Sequence, residues 1–324
     1  MKNKVLTFTK PTLLGVALAG LTAFNAVAAD APKRVLVVTV TTGFRHSSIP
    51  TAEKIIEKLA KDTGLFTVDF AQQPAAQPNA PKKPAPPKAE ADEAAKAKFQ
   101  ADLARFEATN AKFQADQKAF NDSVKQNLAK LGPDSLKNYD AVIFANTTGD
   151  LPLPDREAFI EWIKAGHGFV GMHSATDTFH GFRPYIEMIG GEFLSHGAQV
   201  GVDAINQDSQ CAACKHLPAA WGVFDEIYLM KSFDRAKVHG LLTLDKQPNT
   251  KEPGDYPIAW KKDFGQGRVF YTSLGHREDI WDDDANMKGR KNSVEVAKQY
   301  QQHILGGIKW ALGVENCAAP LGNK

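Results

Sequence analysis

The sequence predicts an α/β protein built on a doubly wound, mostly parallel β-sheet. Residues 35–40 are apolar and rich in β-branched side chains, which is typical of a strand buried on both faces. Residues 50–61 carry apolar side chains at helical spacing, and residues 65–70 predict a second strand. A strand, a helix and a strand in this order indicate a β-α-β unit, from which doubly wound sheets are built.

The stretch 168–177 is the second strong signal. It opens as an apolar run and changes abruptly at His173 to small and polar residues, as a buried strand does when it ends at a sharp turn. Its Gly-x-His-x-Ala spacing has the form of a nucleophile elbow, in which small neighbours leave one side chain exposed. Ligands of open α/β sheets bind at the carboxyl ends of the strands, so His173 is a candidate for chemistry.

The remaining elements continue this alternation. A strand at 139–146 precedes a helix at 155–164, and a short helix near 185–189 follows the elbow. Further strands are predicted at 200–205, 226–230, 241–245, 258–261 and 269–274, with a hairpin turn at 264–268 and a final amphipathic helix at 294–312.

Residues 72–130 interrupt the sheet pattern and are predicted to be an insertion. Residues 72–88 are rich in Pro, Ala and Lys, which favours a polyproline-like spacer. Residues 89–130 favour a helix in which phenylalanine recurs every seven positions, at Phe99, Phe106, Phe113 and Phe120. Polar residues on the companion seam argue against a long dimeric coiled coil. We predict a helix or hairpin packed on its own domain, with a partner-binding arm as the alternative.

The first 29 residues have the features of a secretory signal peptide. Three lysines precede an apolar run at 13–24, and small residues follow it. We predict cleavage after Ala28 or Ala29 and export to the periplasm of a Gram-negative bacterium, without membrane association afterwards. An uncleaved membrane anchor is the alternative, but the apolar run is short for one.

The composition, 43% hydrophobic and 23% charged over 324 residues, is typical of a globular protein. Signal removal takes away three of the 39 basic residues and none of the 37 acidic ones, so the net charge becomes about −1. We expect no nucleic-acid partner.

The three cysteines are Cys211, Cys214 and Cys317. In an oxidising compartment Cys211 and Cys214 could close a small disulfide loop and leave Cys317 unpaired, and free thiols are the alternative. Lys215 stands where a haem-attachment motif has histidine, and His216 alone offers zinc too few partners.

Three histidines, His46, His173 and His276, each follow a predicted strand. Because such strand ends share one edge of a sheet, we expect the three side chains to meet there. Imidazole can act as a base, an acid or a metal ligand near neutral pH. His180 and His196 lie in the loops after the elbow. The alternative for each histidine is a loop residue hydrogen-bonded to the backbone.

Side chains near these histidines supply candidate partners. Asp177 lies four residues beyond His173, and Glu278 lies two beyond His276, where a carboxylate could orient an imidazole or transfer a proton. The candidate substrate-binding residues are Arg45, Ser174, Tyr228 and Trp281.

The chain resembles the ThuA-like, or trehalose-utilisation, family over residues 34–313 outside the insertion. The resemblance rests on Thr42-Gly-Phe-Arg-His46, Gly171-x-His173-Ser-Ala, the segment 185–196, Asp225-Glu-x-Tyr228, the segment 265–276 and the segment 307–312. It implies a flavodoxin-like sheet similar to class I glutamine amidotransferases, a role in sugar metabolism, and a C-terminal tail at 314–324. Amidotransferases have cysteine at the elbow position that His173 occupies, which argues against a glutaminase.

We therefore predict an exported enzyme that acts on a sugar or a modified sugar. The predicted catalytic residues are His173, His276, Asp177 and Glu278. A divalent metal such as Zn²⁺ is a possible cofactor, and its possible ligands are His46, His173, His276 and His196. The alternatives are a non-catalytic sugar-binding module and an envelope protein that contacts partners through the helix at 89–130.

Overall fold

A nine-stranded mixed β-sheet forms the centre of the fold. The computed structural model describes residues 1–4, 7, 31–74 and 77–317, and the predicted cleavage site at Ala28 or Ala29 lies outside them. No helix in these ranges is both long and apolar enough to cross a membrane. The elements in chain order are β1 Lys33–Val38, α1 Ile49–Thr63, β2 Phe66–Ala71, α2 Glu93–Leu128, α3 Pro133–Leu136, β3 Ala141–Ala145, α4 Arg156–Lys164, β4 Gly168–Met172, α5 Arg183–Ile189, β5 Glu192–His196, β6 Val200–Asn206, β7 Ala220–Asp225, β8 Tyr228–Lys231, β9 His239–Lys246, β10 Pro253–Phe264, β11 Gly267–Thr272, α6 Glu278–Trp281 and α7 Val294–Ala311.

The strand order is β2-β1-β3-β4-β11-β10-β9-β6-β7, and β5 pairs with β8 in a separate two-stranded sheet. Strands β2, β1, β3, β4 and β11 are parallel neighbours, whereas all later pairs and the pair β5–β8 are antiparallel. Half of the neighbouring pairs in the large sheet are therefore antiparallel, and with β5–β8 antiparallel pairs are the majority, so the prediction of a mostly parallel sheet is wrong. The reason is local: β9, β10 and β11 follow one another through short connections, which allow only antiparallel pairing.

Helices cover both faces of the parallel half. Along β1, Val35 and Val37 enter one core cluster while Leu36 and Val38 enter the other, because successive side chains of a strand point to opposite faces. The first cluster includes the buried sides of α1 and α7, and the second includes those of α4 and α5. All four helices lie where the sequence predicts them. Strands β5 and β7 are missing from the prediction, and β5 includes His196, which the sequence places in a loop. In β7, Gly222 and exposed Ala220 weaken the strand pattern.

The insertion forms the long helix α2, preceded by the proline-rich segment. Only the last turns of α2 enter the core, through Phe120, Val124 and Leu128. The earlier phenylalanines are half-buried, and so are the prolines at every third position of the preceding segment. These half-buried residues are Phe99, Phe106, Phe113, Pro78, Pro81, Pro84 and Pro87. A polyproline helix repeats every three residues, so one proline stripe faces a single side of it.

Two contacts fix the direction of the proline-rich segment. Asn127 Nδ2 donates a hydrogen bond to the carbonyl of Gln72 at 2.7 Å, at the base of α2. At the far end, the N–H of Ala91 donates to the carbonyl of Lys88 at 3.0 Å, and Asp92 then caps α2. The segment thus runs antiparallel to α2, and each of the two carries one stripe that is partly shielded from solvent. Contact of α2 with another protein stays the alternative to packing on its own domain.

Cys211 forms a disulfide with Cys317, 106 residues further along the chain. The predicted pairing of Cys211 with Cys214 is wrong, because the Cys214 side chain turns into the core toward the carbonyl of Leu241 and is a free thiol. Burial raises the pKa of the Cys214 thiol to about 12. The chain after α7 brings Cys317 to Cys211 instead.

We expect peptides of the unreduced protein to carry a crosslink between Cys211 and Cys317. Alkylation of the folded protein should leave Cys214 unmodified, because a buried, protonated thiol does not react. Peptide mass spectrometry before and after reduction measures both results. A link between Cys211 and Cys214 would contradict the structure.

Candidate metal centre

His173 follows β4 and opens a short 3-10 helix, His173–Asp177. Its φ of +48° lies in the left-handed region, which costs a non-glycine residue about 1–2 kcal/mol unless surrounding contacts fix it. Here the Nδ1–H of His173 donates to the carbonyl of Ser273 at 2.7 Å, and the Tyr271 hydroxyl donates to the carbonyl of His173 at 2.7 Å. The predicted elbow is therefore present, but its imidazole is fully buried rather than exposed.

His46 and His276 reach the same point from two other strands. His46 lies in the loop after β1, and His276 follows β11 through Gly275. The imidazole centroid of His46 is 4.7 Å from that of His173 and 5.1 Å from that of His276. Because β1, β4 and β11 run parallel in one sheet, their carboxyl ends bring the three side chains to one edge.

Glu226 adds a carboxylate from the antiparallel half, between β7 and β8. Its Oε2 lies 3.7 Å from His173 Nε2 and 3.2 Å from His276 Nδ1. The contact with His276 lacks hydrogen-bond geometry, and the buried Nδ1 of His276 has no hydrogen-bond partner among the described residues. The Nδ1 atom of His276 therefore faces Glu226 and is not committed to another side chain or to the backbone.

The ligand atoms of His46, His173, Glu226 and His276 all lie within 4.8 Å of one another. The Nε2 atoms of His46 and His173 are 3.2 Å apart. Tetrahedral zinc ligands at about 2.0–2.1 Å from the ion are roughly 3.3–3.4 Å from each other, so the spacing suits such an ion. The Nδ1–H of His173 donates to a carbonyl, which fixes the tautomer whose Nε2 lone pair faces the cluster. These four residues could hold a metal ion.

Burial keeps two of the three imidazoles neutral. Desolvation lowers the pKa of His46 to about 4, with a further lowering by nearby His276. Desolvation, helped by His46, also holds the pKa of His173 well below its ordinary value. Burial lowers the pKa of His276 as well, but the adjacent Glu226 carboxylate outweighs it and raises that pKa. Neutral imidazole is the form that binds metals, so an ion would compete with a proton mainly at His276.

Asp225 joins two of the loops that carry the cluster. It is fully buried, and its Oδ1 accepts from the N–H of Glu226 at 2.9 Å while its Oδ2 accepts from the N–H of Gly275 at 2.7 Å. Desolvation raises the pKa of Asp225 to about 7. Asp225 and Glu226 are not among the predicted catalytic, substrate-binding or metal-binding residues. The sequence nevertheless marks them twice, as an acidic pair next to a predicted strand and as part of the motif Asp225-Glu-x-Tyr228.

Two predicted substrate-binding residues border the cluster. Ser174 Oγ lies 3.3 Å from His46 Nδ1. The Tyr228 ring packs against His173, with 4.3 Å between the ring centroids. Both side chains therefore support the histidines directly.

His196 stands at the mouth of the centre and not inside it. Its Nδ1 is 3.0 Å from Glu226 Oε1, the oxygen that does not face His173, and its side chain is 44% exposed. It is not part of the converging group, so the structure does not bring this predicted metal ligand together with the others.

Four further predicted residues are engaged by other groups instead of the cluster. Trp281 is fully buried and packs on Tyr300, so it has no free face for a sugar. Its Nε1 donates to the carbonyl of Gly275, and Arg45 Nη1 donates to the carbonyl of Thr39. The Glu278 carboxylate accepts from Ser47 Oγ, and Asp177 pairs with His180.

The pair of Asp177 and His180 extends into a small ionic network. His180 Nε2 contacts Asp177, and its Nδ1 contacts Glu192 of β5, which also pairs with Lys231 of β8. Burial lowers the pKa of His180, but the hydrogen bonds to the two carboxylates outweigh it and raise the pKa above its ordinary value. The network ties the elbow helix to the two-stranded sheet.

We expect replacement of His180 by glutamine to destabilise the protein more at pH 6 than at pH 8.5. Because the folded pKa of His180 is raised, its contribution is fully present below the ordinary value of 6.5 and is lost as the pH rises through the folded pKa. Burial raises the pKa of Glu192, but its partners outweigh this and lower it, so its contribution is lost only as the pH falls below its ordinary value of 4.5. Urea unfolding of both proteins across this range measures the difference. An equal loss at both pH values would contradict the network.

The fold and the cluster define an α/β protein with a buried histidine–carboxylate centre at the carboxyl ends of its parallel strands. The chain belongs to the ThuA family, described as trehalose utilisation, whose family model matches residues 90–311. His173, Glu226 and His276 lie in the matched range, whereas His46 precedes it. The family description fits a role in carbohydrate metabolism.

Solved structures of ThuA-like proteins share the fold. One from Parabacteroides merdae matches with a TM-score of 0.57 at 17% identity, covering 89% of this chain and 92% of its own. Another from Bacteroides uniformis matches with a TM-score of 0.56 at 16% identity, covering 89% and 95%. No curated protein sequence matches this chain.

Proposed function

We propose that this protein is a metal-dependent enzyme of carbohydrate metabolism that acts on a sugar or a modified sugar. The observation that carries the proposal is the convergence of His46, His173, Glu226 and His276 on one point. Buried imidazoles and a carboxylate form a donor set that suits Zn²⁺ and similar ions. The family description, trehalose utilisation, supports a sugar substrate.

The side chains around the centre have complementary chemical roles. A divalent ion held there would supply Lewis-acid activation of a sugar oxygen or of a water molecule. Burial raises the pKa of Tyr228, so its hydroxyl stays protonated and can donate a hydrogen bond to a substrate oxygen. His196 contacts Glu226 and is partly exposed, which suits proton transfer between the centre and solvent.

The arrangement argues against the thioester chemistry of glutamine amidotransferases. That chemistry needs a thiolate at the elbow, and His173 occupies this position. Cys211 and Cys317 are joined in a disulfide, and the raised pKa of buried Cys214 keeps it protonated.

We also infer a flavodoxin-like core and export to the periplasm. The order β2-β1-β3-β4-β11, with helices in both core clusters, supports a flavodoxin-like parallel half. The signal-like segment and the disulfide between Cys211 and Cys317, a bond typical of oxidising compartments, support export.

Turnover assays test the proposed activity. Protein loaded with Zn²⁺ or Mn²⁺, and protein stripped by a chelator, would each be incubated with trehalose, other disaccharides and their keto-sugar derivatives. We expect turnover of at least one sugar, loss of turnover on stripping, and recovery with one of the two ions. Sugar binding without turnover in any state would identify a non-catalytic binding module, and full turnover by stripped protein would remove the metal from the proposal.

A further inference from the structure

Phe44 is a large aromatic side chain that the fold leaves in water at the edge of the metal centre. The residue is 66% exposed. Its ring meets the imidazole of His46 edge-on, with 4.8 Å between centroids and 79° between planes. A single exposed apolar residue is ordinary on a protein surface, but this one borders a candidate metal ligand.

The loop that carries Phe44 is fixed by its neighbours. Thr148 Oγ1 donates to the carbonyl of Phe44 at 2.8 Å, and the N–H of Thr42 donates to the carbonyl of Thr148 at 2.9 Å. A Cβ atom at Gly149 would lie 2.4 Å from Thr42 Oγ1 and 2.8 Å from the backbone nitrogen of Gly43. The two loops are therefore in close contact, and the backbone that presents the ring is held on both sides.

We propose that Phe44 is the stacking platform of a pyranose-binding subsite at the mouth of this centre. The proposal rests on the proposed function and specifies its substrate class as cyclic sugars. A pyranose ring presents C–H groups on its faces and hydroxyls around its edge. The phenyl ring buries the apolar face and offers no hydrogen bond, so the edge hydroxyls are left to polar groups beside it.

This platform discriminates cyclic sugars from acyclic polyols. A polyol such as sorbitol carries the same kind of hydroxyl groups and could reach a metal ion, but it has no rigid apolar face for an aromatic ring. A subsite built only on metal and hydrogen-bonding groups would accept both. Dependence on Phe44 and on the sugar ring together is therefore the signature of stacking.

The test uses metal-loaded protein with trehalose and methyl β-D-glucopyranoside as probes and sorbitol as the acyclic control. Saturation-transfer NMR and titration would compare wild type, Phe44→Ala, Phe44→Trp and Val314→Ala. Val314 is the control because it is also exposed but lies far from the centre. It follows α7, whose last residue, Ala311, lies against Gly168 at the amino end of β4, and the centre is at the carboxyl end of that strand.

We expect Phe44→Ala to weaken sugar binding about fivefold to tenfold, and Phe44→Trp and Val314→Ala to retain it. Metal content should be the same in all four proteins. In turnover, Phe44→Ala should raise KM by the same factor and change kcat less than about twofold.

Two results would overturn the platform: equal sugar affinity in wild type and Phe44→Ala, or no binding of either sugar to wild type. Neither result would contradict metal-dependent turnover, which the assay with metal-loaded and stripped protein tests separately. Conversely, Phe44-dependent sugar binding without turnover of any sugar would overturn the proposed enzyme and keep the platform.

Discussion

Replacing His173 with alanine is expected to abolish tight metal binding, and metal-dependent turnover with it. His173 is fully buried, and its Nε2 lies 3.2 Å from His46 Nε2 and 3.7 Å from Glu226 Oε2. Loss of a group that merely supports a ligand weakens metal binding about 10–100-fold, so loss of a ligand should exceed roughly 100-fold. Elemental analysis of the purified protein and calorimetric titration with Zn²⁺ measure the effect. Alanine at φ +48° bears a backbone cost similar to that of histidine, so the change reports the side chain.

His303→Ala is the matched control for this experiment. His303 is also fully buried, and its Nδ1–H donates to the carbonyl of Ala213 at 2.8 Å. Burial lowers its pKa to about 4, so it too is a neutral imidazole. His303 lies outside the converging group, and its loss should lower stability without removing the ion. A variant His173→Ala that keeps one ion per chain, or a variant His303→Ala that loses it equally, would contradict the assignment.

The sequence predicts the half of the centre that parallel strands build. His46, His173 and His276 each follow a strand with a strong apolar pattern, and parallel strands end at a common edge. The elbow is also predictable, because the change from apolar to small and polar residues at 168–177 is abrupt. The meeting of the three histidines at one edge of the sheet therefore follows from local pattern and one topological rule.

The other half of the centre depends on packing, because the local acidic motif at Asp225 and Glu226 does not show which side chain reaches the histidines. Glu226 comes from the antiparallel half, where the pairing of β6, β7 and β9 determines which side chain reaches the histidines. Arg45 and Trp281 occupy positions that the sequence suggests, but their side chains turn toward the carbonyls of Thr39 and Gly275. A sequence position limits where a residue lies, whereas its neighbours decide where its side chain points.

Replacing Gly267 with alanine is expected to cost about 3 kcal/mol or more of unfolding free energy. A Cβ atom there would lie 2.0 Å from the carbonyl oxygen of Ile163 and 2.7 Å from that of His167, and both are backbone atoms. Neither can rotate away, so the end of α4 and the first residues of β11 must separate, and overpacking of this kind costs about 1–3 kcal/mol or more. Denaturant unfolding of the variant and wild type measures the loss.

Gly222→Ala separates this clash from the general effect of adding a methyl group to a strand. Both glycines lie in strands of the large sheet, and neither has a positive φ. At Gly222 the nearest atom to a new Cβ is Asp203 Oδ1 at 3.5 Å, an ordinary contact. Alanine has less freedom to lose than glycine, so this variant should be unchanged or up to about 1 kcal/mol more stable. Similar losses in both variants would show that the approach of α4 to β11 is not what requires glycine.

The Gly267 variant also tests how the fold supports the candidate centre. β11 leads to His276, and α4 leads through His167 to β4 and then to His173. The contact between α4 and β11 at Gly267 therefore lies at the opposite end of the two strands that carry two of the four converging residues. The five paired positions of β4 and β11 separate the substitution from the histidines, and the carbonyl of Ser273 still accepts from His173 at the far end. We therefore expect Gly267→Ala to lower stability while the folded protein keeps its metal affinity within about threefold. Loss of the ion from folded protein would mean that the packing of α4 against β11 holds β4 and β11 in register. The hydrogen bonds of His173 and Asp225 at the carboxyl ends of the strands would then not be enough to do so.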